Sequence, residues 1–122
     1  MLRELNHIKQ HKGEPKRKWY ESEYFDLIVW FSESHRIIRF QLCYDKNKNE
    51  KALTWKVPHE YSHNRVDDGE HGTGAYKSSP VLKADGHFNK DEIAERFIKE
   101  SGELKKEIIE FVYKKILEYK NI

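Results

Sequence analysis

Apolar and polar residues alternate between positions 24 and 57, and this alternation predicts three neighbouring β-strands. Successive side chains of a strand point to opposite faces, so every second residue shares a face. The connectors at residues 32–35 and 46–49 are polar and have the length of hairpin loops, which favours antiparallel neighbours. One face of the predicted sheet carries the apolar residues Phe25, Leu27, Val29, Phe31, Ile38, Phe40, Leu42, Tyr44, Leu53, Trp55 and Val57.

The C-terminal third of the chain predicts two helices. Asn89 suits an N-cap, because its side-chain oxygen can accept from a free backbone amide and Glu92 stands three residues later. Ser101 and Gly102 end this helix, and Ser101 is the expected cap of the next one. The last helix, over residues 103–119, has so broad an apolar stripe that we expect it to contact the sheet and also another helix or a partner chain. This stripe comprises Leu104, Ile108, Ile109, Phe111, Val112, Tyr113, Ile116, Leu117 and Tyr119.

Shorter patterns complete the predicted fold. Apolar residues at three-residue spacing predict a short N-terminal helix over residues 2–11, and residues 80–84 predict one more strand. Residues 58–79, rich in His, Gly and acids, are expected to be mainly loop. The fold class is therefore α+β, with an antiparallel four- to five-stranded sheet and two C-terminal helices packed on one face.

Length and charge divide the chain into two parts. A chain of 122 residues is the size of one domain, and we expect residues 19–122 to form it. Residues 1–18 form a basic N-terminal segment with six Lys or Arg against two Glu. Its cations Lys16, Arg17 and Lys18 stand beside Trp19, and cations with aromatics can hold a nucleic-acid strand. A solvated tail is the simpler interpretation, so nucleic-acid contact is one of two alternative functions.

The single cysteine, Cys43, excludes a disulfide framework, and its position within a strand favours a packed thiol over a nucleophile. No apolar run has the length of a signal peptide core or a membrane span. We therefore expect a cytoplasmic protein without a membrane partner.

The residues His59, Glu60, Tyr61, Ser62 and His63 resemble the HExxH motif of zinc metalloproteases. On a helix, that resemblance implies His59 and His63 as zinc ligands and Glu60 as the general base.

The third zinc ligand would be Asp67, Asp68 or His71. An extended backbone is the alternative, and it would place His63, Arg65 and Asp67 in a polar row on one strand face. A zinc-dependent hydrolase is thus the other alternative function, with zinc as its cofactor.

The second face of the predicted sheet is mixed and carries Trp30 and Arg39. A tryptophan beside apolar neighbours requires cover, either from the N-terminal segment or from a partner. Together with the broad helix stripe, this face favours a non-enzymatic binding or assembly domain, with a protein partner or a second copy of the chain as its ligand. We keep this as the first functional hypothesis.

Overall fold

The computed structural model describes residues 1–6, 8–10, 12–67, 81–84 and 88–120. They form a sheet of seven antiparallel strands in sequential order, followed by two helices. The α+β prediction is confirmed, although the sheet has more strands than predicted. The elements are β1 (Arg3–Glu4), β2 (Lys16–Glu21), β3 (Phe25–Phe31), β4 (Ile37–Tyr44), β5 (Lys51–Lys56), β6 (Glu60–Asp67), β7 (Val81–Ala84), α1 (Lys90–Glu100) and α2 (Lys106–Glu118).

The N-terminal helix prediction is wrong, because the chain there runs along the edge of the sheet. Arg3–Glu4 pairs with β2, and the Leu5 amide donates to the Trp19 carbonyl at 2.8 Å. Further along, the Gln10 side-chain amide donates to the Arg17 carbonyl at 2.6 Å and accepts from the Arg17 amide at 3.1 Å. Pairing with the β2 edge thus determines the conformation of this segment, although its apolar residues have helical spacing.

Part of the predicted loop at residues 58–79 is strand β6, which pairs with β5 from Glu60 to Arg65. The extended backbone, one of the two alternatives for the HExxH stretch, is therefore the one observed, although Ser62 and Asn64 interrupt the apolar pattern. They lie on the face that the helices leave uncovered, where a strand of an antiparallel sheet tolerates polar side chains. Residues 68–80 lie outside the described part of the chain.

Both helices pack on the predicted core face. Leu27, Phe40 and Leu42 are fully buried there, as are Phe97 of α1 and Ile116 of α2. A second set of contacts joins aromatic rings: Phe25 lies 6.3 Å from Phe97, and Trp55 lies 5.0 Å from Phe111, between ring centroids. Each large side chain buried in this way contributes about 1.5–3 kcal/mol.

The predicted cap of α1 is confirmed, since the Asn89 side chain accepts from the Glu92 amide. The start of α2 differs from the prediction. Ser101 closes α1 instead, with its hydroxyl donating to the Ile98 carbonyl at 2.8 Å, and Gly102 follows with a left-handed φ of +44°. The chain therefore turns before α2 begins at Lys106.

The broad stripe of α2 is largely used inside the molecule. Ile108, Val112 and Ile116 are buried, and Ile109 and Leu117 are partly buried against the same core. The stripe therefore does not require a partner chain. Within the described residues, no helix is long and apolar enough to cross a bilayer.

Candidate functional site

The HExxH residues lie on a turn and a strand, so the helical geometry that the motif needs is not formed. His59 is exposed in the turn before β6, and Glu60 is the first residue of that strand. Alternation along β6 places Glu60 and His63 on opposite faces of the sheet. A carboxylate on one face cannot activate water on a metal held by an imidazole on the other.

His63 is a core residue. It is buried, its Nε2 atom lies 2.6 Å from the Tyr44 hydroxyl, and the two rings stack with centroids 5.9 Å apart. Phe88 and Tyr119 complete an aromatic cluster around it. His63 therefore lies on an extended backbone, as the strand alternative predicts. Its imidazole packs the sheet against Phe88 and Tyr119 in the C-terminal part of the chain.

Of the other candidate metal ligands, Asp67 is the last residue of β6, whereas Asp68 and His71 lie outside the described residues. Across residues 1–6, 8–10, 12–67, 81–84 and 88–120, no group of three His, Cys, Asp or Glu side chains is arranged to hold a metal ion.

Four of the six predicted binding residues meet on the other side of the sheet, which we call the open face. Both helices lie on the core face, so no described helix covers this side. Strand pairing aligns Arg17 with Trp30, Trp30 with Arg39, and Arg39 with Lys56. The next row aligns Trp19, Ile28, Gln41, Thr54 and Ser62. Four of the predicted residues, Arg17, Trp19, Trp30 and Arg39, thus form one surface.

Trp30 and Arg39 form a cation–π pair at one end of the open face. The guanidinium carbon of Arg39 lies 4.6 Å from the Trp30 ring centroid. This stacking partly covers the tryptophan, for which the sequence predicts cover either from the N-terminal segment or from a partner. The N-terminal apolar residue Leu2 is instead buried in the core, together with both helices.

The Arg39 guanidinium has no carboxylate partner within the described residues. Its Nε atom is buried without a hydrogen-bond partner. The Thr54 hydroxyl, on the neighbouring strand β5, also has no hydrogen-bond partner. An arginine without a carboxylate partner can form charge-assisted hydrogen bonds to an anion through its remaining guanidinium donors, whereas Arg39 Nε and the Thr54 hydroxyl are themselves buried.

A hollow of about 200 Å³ opens beside this arginine. It is lined by Arg39, Thr54, Lys56, Glu60, Tyr61 and Ser62. The one carboxylate in this lining, Glu60, lies 3.3 Å from Lys56 Nζ, and both side chains are more than half exposed. A solvent-exposed pair of this kind is weak, about 0–1 kcal/mol, so Lys56 can exchange this partner for another anion.

The opposite end of the open face is acidic. Asp26 lies 3.1 Å from Lys46 Nζ, and Glu21 lies 3.8 Å from the same atom. Burial raises the pKa of the Asp26 carboxyl, and the hydrogen bond from Lys46 opposes that shift. One lysine thus serves two carboxylates, and the face is basic at the Arg39 end and acidic at the Asp26 end.

Cys43 lies on the open face but is buried between its neighbours. Burial raises the pKa of its thiol to about 11. The thiol therefore stays protonated at neutral pH, as expected of a packed cysteine rather than a nucleophile.

The remaining predicted cations, Lys16 and Lys18, are turned away from the open face by the alternation along β2. They line a separate groove of about 900 Å³ between the N-terminal segment and the start of α2. This groove also contains the carboxylates Glu4, Glu14, Glu33 and Glu107. Acids balance the cations there, so the groove has no net basic character.

Sequence reasoning named Trp30 and Arg39 but missed Thr54 and Lys56 as site residues. The signal was present, because hairpin register aligns β4 with β5 and places these residues beside Arg39. No family model matches the chain, and no curated protein or solved structure resembles it significantly.

Proposed function

We propose that this protein is a non-enzymatic binding domain that holds a polyanionic ligand against the basic end of its open face. The observation that carries the proposal is the Arg39 guanidinium, held against Trp30 and without a carboxylate partner in the described part of the chain. An arginine in this state binds carboxylate, sulfate or phosphate groups through charge-assisted hydrogen bonds.

Two features around Arg39 support the same function. Lys56 adds a cation in the same cross-strand row, and Arg17 adds another at its β2 end, where the Arg17 guanidinium also donates to the Lys9 carbonyl at 3.0 Å. Thr54 and Ser62 add hydroxyl groups beside the hollow. A row of cations interacts with several charges of one ligand, so a polymer of anions gains more from it than a single ion does.

Retention on immobilised heparin, a sulfated polymer without bases, tests this proposal. Arg39→Glu should elute at a clearly lower salt concentration than the wild type, because the substitution places a negative charge at the centre of the row. The control is Lys106→Glu, which changes the net charge by the same amount on α2, where Lys106 is 88% exposed. Equal elution of the two variants would refute the proposal, since retention would then follow net charge alone. Thermal unfolding of both variants confirms that they are folded.

A further inference from the structure

The geometry of the open face points to a single-stranded nucleic acid as its polyanionic ligand, an inference that rests on the proposed function. The basic row combines charge with flat side chains. Trp30 and Arg39 are stacked with each other, and Trp19 lies on the same face of β2 as Arg17. Unpaired bases stack both on aromatic rings and on guanidinium planes.

The groups beside the stacked pair are those that bind nucleic-acid phosphates. Arginine, lysine, serine and threonine are among the side chains that contact phosphate oxygens. Arg39, Lys56, Thr54 and Ser62 line one hollow, and the buried Arg39 Nε and Thr54 hydroxyl have no hydrogen-bond partner within the protein. Glu60 opposes an anion in the same hollow, so its removal should strengthen binding.

The spacing of these groups favours a single strand over a duplex. Neighbouring strands lie about 4.8 Å apart, so the Arg39 position on β4 is one spacing from Trp30 on β3, and the Lys56 position on β5 is two spacings, about 10 Å, away. A single strand that lies across the sheet along this row can stack its bases on Trp30 while its phosphates contact Arg39 and Lys56. In a duplex the bases are already stacked and paired, and only the phosphates would be used.

Fluorescence anisotropy with labelled oligothymidylate and oligouridylate tests the inference. We expect at least one of these oligonucleotides to bind more tightly than duplex DNA of the same length, with quenching of tryptophan emission. Trp30→Ala should weaken oligonucleotide binding about 5- to 150-fold, the range measured for loss of one stacked base. Its effect on heparin retention should be smaller, because heparin offers nothing to stack. Tyr113→Ala, at an exposed aromatic residue on α2, should leave binding unchanged.

Two further variants keep the test decisive if Trp30→Ala does not fold. Arg39→Gln should reduce the slope of log affinity against log salt by about 0.7, the value for one phosphate contact of a single strand. Glu60→Gln should raise the affinity for the oligonucleotide, because it removes the carboxylate that lines the hollow.

The outcomes separate this inference from the proposed function. Retention on heparin that depends on Arg39, with no binding of either oligonucleotide or with duplex bound at least as tightly, overturns the nucleic-acid inference and leaves the polyanion function. Binding of polyglutamate in preference to both oligonucleotides would assign the face to an acidic protein segment and overturn the inference too. If heparin and oligonucleotides both fail to bind, both proposals fall.

Discussion

Asp26 shows how strand pairing decides the environment of a single side chain. The carboxyl lies on the open face but is only 18% exposed, and it contacts Lys46 from the loop after β4. Lys46 also donates to the Ser22 carbonyl at 2.9 Å. The ammonium group thus holds the acidic end of the face together, although burial still disfavours the charged form of Asp26.

The raised pKa of Asp26 predicts a pH dependence of stability. A carboxyl that binds its proton more tightly in the folded state contributes stability at low pH. That contribution is complete below the unfolded pKa of about 3.9 and is lost as the pH rises through the raised folded pKa. Urea unfolding across this range should show the loss in the wild type and a flatter profile in Asp26→Asn. Parallel profiles would show that Asp26 does not titrate differently in the folded state.

For single residues, the sequence indicates which side chains lie on the open face but not which of them contact each other. Trp30 and Arg39 are predicted binding residues because of their residue types and because alternation places them on the same face. Their contact depends on the register between β3 and β4, which shifts at a bulge between Trp30 and Phe31. The shift pairs Phe31 with Ile37, and Ile37 packs against the core instead of standing beside Trp30. A bulge of this kind leaves no signal in alternating residues.

At the scale of elements, β6 and α2 are joined by one specific hydrogen bond. The Tyr61 hydroxyl donates to the Lys115 carbonyl at 2.7 Å. Lys115 lies in the last turn of α2, where carbonyls lack a partner within the helix. Burial raises the pKa of Tyr61 to about 12, so its hydroxyl remains a donor at neutral pH.

Tyr61→Phe should therefore lower the free energy of unfolding by about 0.5–1.5 kcal/mol, because the helix carbonyl loses its donor while the ring remains in place. Chemical denaturation measures this change. Tyr113→Phe is the control, since Tyr113 is exposed on α2 and no hydrogen bond of its hydroxyl is described. Equal stability of the two variants would show that the bond to Lys115 contributes nothing.

Elements with one apolar and one polar face were predictable, whereas those without a clear alternation were not. β3, β4 and β5 were predicted from alternation, and α1 from its cap. β2 begins with Lys16, Arg17 and Lys18, so it resembles a tail. β6 carries polar residues on the open face, and its sequence is compatible with a loop, with a motif helix and with the strand that is observed. Backbone pairing of β2 with β3 and of β6 with β5, rather than the pattern of side chains, determines these two strands.

At the scale of the whole molecule, the two ends of the described chain share one core. Leu2 is fully buried in the cluster that also holds both helices, and its amide donates to the Glu100 carbonyl at 2.7 Å. Lys16, Arg17 and Lys18, predicted as part of a separate segment, belong to β2. A deletion of residues 1–18 would therefore disturb the sheet, and point substitutions are the better test of binding.

Leu2→Ala should lower the free energy of unfolding by about 2–5 kcal/mol, the usual cost of truncating a buried leucine. Thermal or urea unfolding measures this loss. Val57→Ala, at a residue that is 44% exposed, should change stability by about 0.5 kcal/mol or less. A loss for Leu2→Ala as small as that of the control would mean that the N-terminus detaches without consequence in solution.

The Gln10 side-chain amide pairs with the edge of the sheet beyond the two-residue strand β1. It meets the Arg17 backbone as another peptide group would, with one donor and one acceptor. Unpaired backbone N–H and C=O groups of an edge strand can pair with a strand of another chain, which is a common cause of aggregation. Beyond the two-residue β1, this side chain occupies the same margin of β2. Its two hydrogen bonds occupy the Arg17 peptide groups, so these groups are not available to pair with a strand of another chain.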